Sequence, residues 1–316
     1  MGFNWKFSGG LMLISTHAIP ATVFYPFTPI QWTAVQNTSF DSTNNIYAVA
    51  KGQDTYVAVG SYGKLASAVD VENWTQRVSS FGTSSIYSVA YGDGKFIAGG
   101  STGKMALSID GINWTAINSS FGSSVILSIN FFENYNLWVA VGGSGKLATS
   151  EDGVNWVQRL SSFGTSFIRS LHSDGTQIIA VGDEGKLATS SNGLTWIQRT
   201  SSFSVSNIYS VHGGFSFYLA VGDFGKIGYS SDGVIWVQSE YPTSFGTSGL
   251  RAVKVGLTEE SSSLAAGFSG KIGNSFDNNF WTQRDSTFGS SRINSIYFGE
   301  DLSLIVGNSG KMAYSL

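Results

Sequence analysis

The chain has no cysteine, four prolines in 316 residues and little charge. Lysine, arginine, aspartate and glutamate together make up 12%, about half the roughly 25% of an ordinary soluble domain. Each shortage excludes something. Without cysteine there is no disulfide framework, no thiolate zinc site and no cysteine nucleophile. The same absence fits a reducing compartment and, equally, an extracellular protein built without disulfides. Eighteen basic residues against 21 acidic ones, a net charge of −3, lack the basic surplus of a nucleic-acid binder. No run approaches 18 consecutive apolar residues, so no membrane-crossing helix and no membrane insertion are expected. The short apolar run at 11–14 is too brief for the core of a secretory signal. Disorder is excluded from the other side, because aromatics reach 14% and disordered chains have few.

What the sequence has in excess is glycine, 39 residues, and it recurs in order. Gly-Lys followed by a short apolar run occurs seven times, with lysines at Lys64, Lys104, Lys146, Lys186, Lys226, Lys271 and Lys311. Their spacings are 40, 42, 40, 40, 45 and 40. A tryptophan recurs in step (Trp32, Trp74, Trp114, Trp156, Trp196, Trp236, Trp281), and so does a later phenylalanine (Phe40, Phe81, Phe121, Phe163, Phe203, Phe245, Phe288). Three markers thus agree on seven copies. One copy reads as four strands near 168–172, 177–182, 185–190 and 194–199, separated by Gly, Asp, Asn and Ser turns. No segment keeps a 3.6-residue period over three turns, so helix is a poor reading. Four strands per repeat of this length predict a propeller blade. The fold class expected is all-β: a seven-bladed β-propeller of four-stranded blades.

The two ends are out of phase with the blades. Trp32 belongs to a fourth strand, whereas Lys311 lies in a third strand and the sequence stops at Leu316. Residues 31–36 are therefore expected to supply the outer strand of the last blade and close the ring. Residues 1–30 remain as an N-terminal arm holding three of the four prolines. They are read as a flap over the ring or as an arm docking on a neighbouring subunit.

The turn before the tryptophan reads Ser-Ile-Asp-Gly-Ile-Asn-Trp at 108–114, with close copies at 150–156, 190–196 and 230–236 and a degenerate one at 275–281. It resembles the Asp-box, or BNR repeat, of sialidases and many non-enzymatic propellers. The usual box carries one more residue between aspartate and glycine. In physical terms Asp-Gly supplies a positive-φ turn and the carboxylate bonds the turn amides. Asp110, Asp152 and Asp232, with Trp114, Trp156, Trp196 and Trp236, are accordingly read as structural. The full consensus over 31–316 resembles propellers described as photosystem II assembly-factor-like. In the style of its near-identical repeats it is most similar to tandem-repeat virion proteins of tailed bacteriophages.

A single site on a seven-fold scaffold has to break the repeat. The seven lysines would ring one face and could focus a positive field; the preferred reading pairs each with an acid or carbonyl, Asp183 and Asp223 being offered for Lys186 and Lys226. At the second position of strand one the copies differ: Tyr47, Tyr87, Leu127, Arg169, Tyr209, Arg251 and Asn294. These are placed near the channel mouth, a concave location suited to ligands. Arg169 and Arg251, with adjacent Arg292, are the arginines outside the repeated Gln-Arg, and the trio resembles the carboxylate-clamping arginine triad of sialidases. A sialidase also needs a tyrosine with a glutamate beside it, and none can be placed beside Tyr209 or Tyr47. His172 and His212 share one repeat position, where the flanking copies offer Asn130 and Lys254, so no metal site is assigned.

The expectation is a non-enzymatic structural or adhesion module of a bacteriophage virion, contacting other virion proteins or a host-surface molecule such as a glycan. No cofactor and no nucleic-acid partner are expected; homo-oligomers are open. The binding face is assigned to Arg169, Arg251, Arg292, Tyr47, Tyr87 and Tyr209. The alternatives are a carbohydrate-binding lectin, an assembly factor and a sialidase-like glycosidase.

Overall fold

Short β-branched and aromatic runs punctuated by Gly, Asp and Ser can only pair locally, one hairpin after another. A computed structural model describes residues 7–8, 11–13, 24–26, 30–214, 217–239, 244–256, 262–299 and 302–316. In the fourth repeat, Ile168–Ser173, Ile178–Gly182, Leu187–Ser190 and Ile197–Arg199 pair antiparallel in chain order. The last strand is shorter than the sequence reading, because residues 191–196 are taken up by the turn and its tryptophan.

Seven such four-stranded sheets form, each with the same order. The inner strand of each blade packs on the next, and the last, Ile293–Phe298, packs on the first, Ile46–Gly52. The ring is a closed seven-bladed propeller. Closure uses the predicted strand in shortened form. Thr33–Ala34 pairs with Met312–Ser315, Ala34 opposite Ala313 and Thr33 opposite Tyr314. Val35 N–H adds a bond to Met312 O at 2.9 Å, and the Thr38 hydroxyl donates to Gly310 O at 2.9 Å.

The core lies between blades rather than within one. Val57, Val59 and Leu65 of the first blade pack with Ile86, Val89 and Phe96 of the second, around Phe81 from the loop joining them. The repeated Phe81, Phe121, Phe163, Phe203, Phe245 and Phe288 are all fully buried in this way. Their loops are straps. The Ser79 hydroxyl donates to Gly63 O of its own blade at 2.5 Å, and Lys104 of the next blade donates to Phe81 O at 2.9 Å. Gly63 must be glycine: its φ is +67° and a Cβ there would sit 2.0 Å from Gly82 O.

Residues Met1–Gln31 form a unit separate from Trp32–Leu316. Within it, Phe7–Ser8, Leu11–Leu13 and Phe24–Pro26 make a three-stranded antiparallel sheet in chain order. Pro26 ends an edge strand, where a missing N–H is tolerated. The remainder of the arm lies outside the described residues, as do two loop segments of the propeller, 240–243 and 257–261.

Candidate functional site at the channel mouth

Every inner strand carries a one-residue register shift, and in each blade the skipped residue is the second of the strand. These bulged residues are Tyr47, Tyr87, Leu127, Arg169, Tyr209, Arg251 and Asn294. A bulge leaves its extra residue unpaired and re-aims the side chain. All seven line one cavity of about 380 Å³ in the central channel. Position two differs between copies because it is the residue the ladder does not use. Sequence spacing located that position; the bulge that sets its direction has no sequence signal in these strands.

The mouth is built from cations and rings. Tyr47 and Tyr87 meet with centroids 4.9 Å apart. Arg251 lies over the Tyr209 ring at 4.0 Å and near the Phe268 ring at 5.2 Å. Arg169 approaches Tyr209 at 5.0 Å and Phe167 at 5.8 Å, and Arg292 approaches Phe268 at 5.3 Å. Such contacts fix a guanidinium without neutralising it.

The three arginines differ in their partners. Arg169 makes a bidentate ion pair with Asp183. Arg292 donates to Asn294 Oδ1 at 2.7 Å. The Arg251 Nε is buried and has no hydrogen-bond partner among the described residues. Burial, followed by the charge of Arg292, pushes the Arg251 guanidinium down to about 10. Burial likewise lowers Arg292. No aspartate or glutamate is among the described residues lining the cavity.

The acids offered for lysine pairing are engaged elsewhere. Asp183 holds Arg169, and Asp223 accepts from the Tyr209 hydroxyl at 2.7 Å and from Asn207 N–H at 3.1 Å. Both belong to the turn between strands two and three, which brings them beside the bulge of their own blade. The lysines find carbonyls instead. Lys104, Lys146, Lys186, Lys226, Lys271 and Lys311 donate to the loop phenylalanine carbonyls at 2.7–3.3 Å. In the first blade the glycine after that phenylalanine is replaced by Asp41, and Lys64 forms an ion pair with it at 2.8 Å. Lys186 also reaches Glu184 at 3.1 Å. The seven lysines therefore staple neighbouring blades.

The Asp-box residues sit in their turns. Asp110 Oδ1 accepts from Ile112 and Asn113 N–H, both at 2.8 Å, and the Trp114 indole donates to Gly111 O at 3.2 Å. Asp152 with Trp156 and Asp232 with Trp236 repeat the arrangement, and Asn192 replaces the aspartate beside Trp196.

Tyr209 is poorly suited to nucleophilic work. Burial and then its donated bond to Asp223 raise its pKa, which makes the phenolate harder to form. His172 and His212 meet with centroids 4.2 Å apart and rings tilted by 38° in the channel wall. No group of three His, Cys, Asp or Glu side chains that could hold a metal occurs among the described residues.

Fold and site define a seven-bladed β-propeller with a cationic, aromatic-framed channel mouth. No protein-family model and no curated protein matches the chain. Solved structures do. A structure of YCF48 bound to a D1 peptide is similar over 96% of this chain and 99% of its own, with a TM-score of 0.72 and 19% identity. YCF48 from Cyanidioschyzon merolae covers 90% and 98%, at 0.70 and 18%. Virginiamycin B lyase from Staphylococcus aureus covers 91% and 99%, at 0.76 and 11%. At these identities the likeness establishes the propeller. Since one such scaffold holds a peptide and another is a lyase, function has to be argued from the site.

Proposed function

We propose that the propeller is a non-catalytic binding module whose channel mouth receives a carboxylate of an acidic protein segment. The observation that carries this is Arg251: a guanidinium framed by Tyr209 and Phe268, whose buried Nε has no acceptor among the described residues, in a cavity whose described lining holds no acid. A planar donor held this way matches a carboxylate in geometry and charge. Arg251 and Arg292, neither ion-paired with a described acid, leave a net positive field in low-dielectric walls, which favours an approaching anion. The YCF48 structure with a D1 peptide supports the reading to the extent that a similar ring accommodates a peptide.

The narrower setting expected from the repeat style, a phage virion surface facing other virion proteins or a host molecule, is a special case. A carboxylate on an acidic sugar would meet the same arginines. The structural neighbours named above give that setting no support, and it rests on the repeat style.

The test is a fluorescence-anisotropy titration with a labelled deca-glutamate peptide and its deca-glutamine counterpart. The glutamate peptide should bind, more weakly as salt rises. Arg251→Met should weaken it by about ten-fold or more, while the melting temperature does not fall. Equal binding of the glutamine peptide, or full affinity in Arg251→Met, would contradict the proposal. A glycan array separates the lectin reading: acidic sugars binding where the glutamate peptide does not would favour it.

A further inference from the structure

Deeper along the same channel, the fifth residue of the inner strand breaks the repeat in a second way. The first two blades place Ala50 and Ala90 there, and blades four to six place His172, His212 and Lys254. Lys254 lines the channel cavity and forms no hydrogen bond or ion pair with any described residue. His212 Nδ1 accepts Val255 N–H at 3.2 Å, which fixes the ring and puts its proton on Nε2. The His172 ring lies 4.2 Å from that ring, tilted by 38°, and its own Nε2 is buried without a hydrogen-bond partner among the described residues. Lys254, His172 and His212 thus line one cavity, with no counter-ion for the amine and no acid in the lining among the described residues. Buried polar groups are ordinarily satisfied, and buried charges are ordinarily paired. A cationic amine left open in a channel where two of the seven blades place only alanine at this level describes a place for a ligand that supplies the missing charge.

We propose that Lys254, with His172 and His212 beside it, forms an anion subsite in the channel for a small oxyanion of the size of phosphate. The electrostatics agree with this geometry. Burial pushes the Lys254 amine down to about 8, and burial and then Lys254 push the His172 imidazole down to about 3. Near neutral pH the amine is the cation, and both rings remain neutral neighbours. Three residues of strand, about 10 Å of backbone, separate Lys254 from Arg251. The subsite is therefore distinct from the mouth and stands independently of what the mouth binds.

The probe is inorganic phosphate, titrated into the full chain while the imidazole NMR signals are followed. The chain has three histidines, so His172→Gln and His212→Gln each identify one signal. Phosphate should shift the His172 and His212 signals in a saturable way. Lys254→Met should abolish the shift while leaving the protein folded, Lys254→Arg should preserve it, and Arg251→Met should leave it intact. An absent shift, a shift that survives Lys254→Met, or one that Arg251→Met removes equally would overturn the proposal. The last outcome would assign the anion to the mouth.

Discussion

Asp110 holds the turn before Trp114 by accepting from two backbone amides and from the Ser108 hydroxyl. The bond from Asn113 N–H, with that from Ile112, keeps its carboxyl well below the usual carboxylate range. A folded-state pKa below the unfolded value of about 3.9 stabilises the fold above that pH, and this contribution is lost as pH falls through it. Asp110→Ala should therefore cost about 1 kcal/mol at neutral pH, read as a lower melting temperature. Asp110→Asn should be milder, because Asn192 already does this job in another blade with bonds of 2.9 and 3.0 Å. It should also weaken the loss of stability below pH 4, since an amide does not titrate there; an unchanged acid profile would contradict this account. The degenerate box keeps the aspartate bonds, with Asp277 Oδ1 accepting from Asn279 and Phe280 N–H at 3.0 and 2.8 Å, but loses the indole bond. Asn278 stands where glycine is usual, at φ +60°, and the Trp281 indole N–H is buried without an acceptor among the described residues.

At the scale of elements, the closing strand joins the two ends of the propeller sequence through a two-residue ladder. Trp32 is 8% exposed. Trp32→Asp should destabilise the ring by about 3–5 kcal/mol, the range for loss of a large buried aromatic, with the added burden of a buried carboxylate. A melting curve equal to wild type would show that closure contributes little. This strand was legible because the markers begin on a fourth strand and end on a third. The blades were legible because every strand and turn repeats seven times. The bulge was not, because a register shift is set by pairing across strands rather than by residue type. The serines in mid-strand escaped for a related reason. They look like small residues chosen for packing, yet Ser88, Ser170 and Ser210 accept amides from the next blade's inner strand at 2.9–3.4 Å. The acid partners of Arg169 and Tyr209 were misassigned to lysines, since three residues along a turn looked nearer than fourteen across a hairpin.

For the whole molecule, charge is scarce but ordered. The repeated lysines are engaged by carbonyls or acids at the straps between blades, whereas Arg169, Arg251 and Lys254, which break the repeat, line the channel cavity, and of these Arg169 alone has an acid partner among the described residues. Burying such charges costs stability, so Arg251→Met should raise the melting temperature even as it weakens anion binding. Scaffold and site thus draw on different residues, and the site can change without disturbing the ring.

The most direct test of that division is the Arg251 Nε–H NMR signal. It belongs to one of seven arginines and is identified by its loss in Arg251→Met. The account predicts that this signal moves downfield as deca-glutamate peptide is added, at the same concentrations that saturate the anisotropy change, and that deca-glutamine leaves it in place. A bound glutamate peptide with an unmoved Arg251 signal would contradict it.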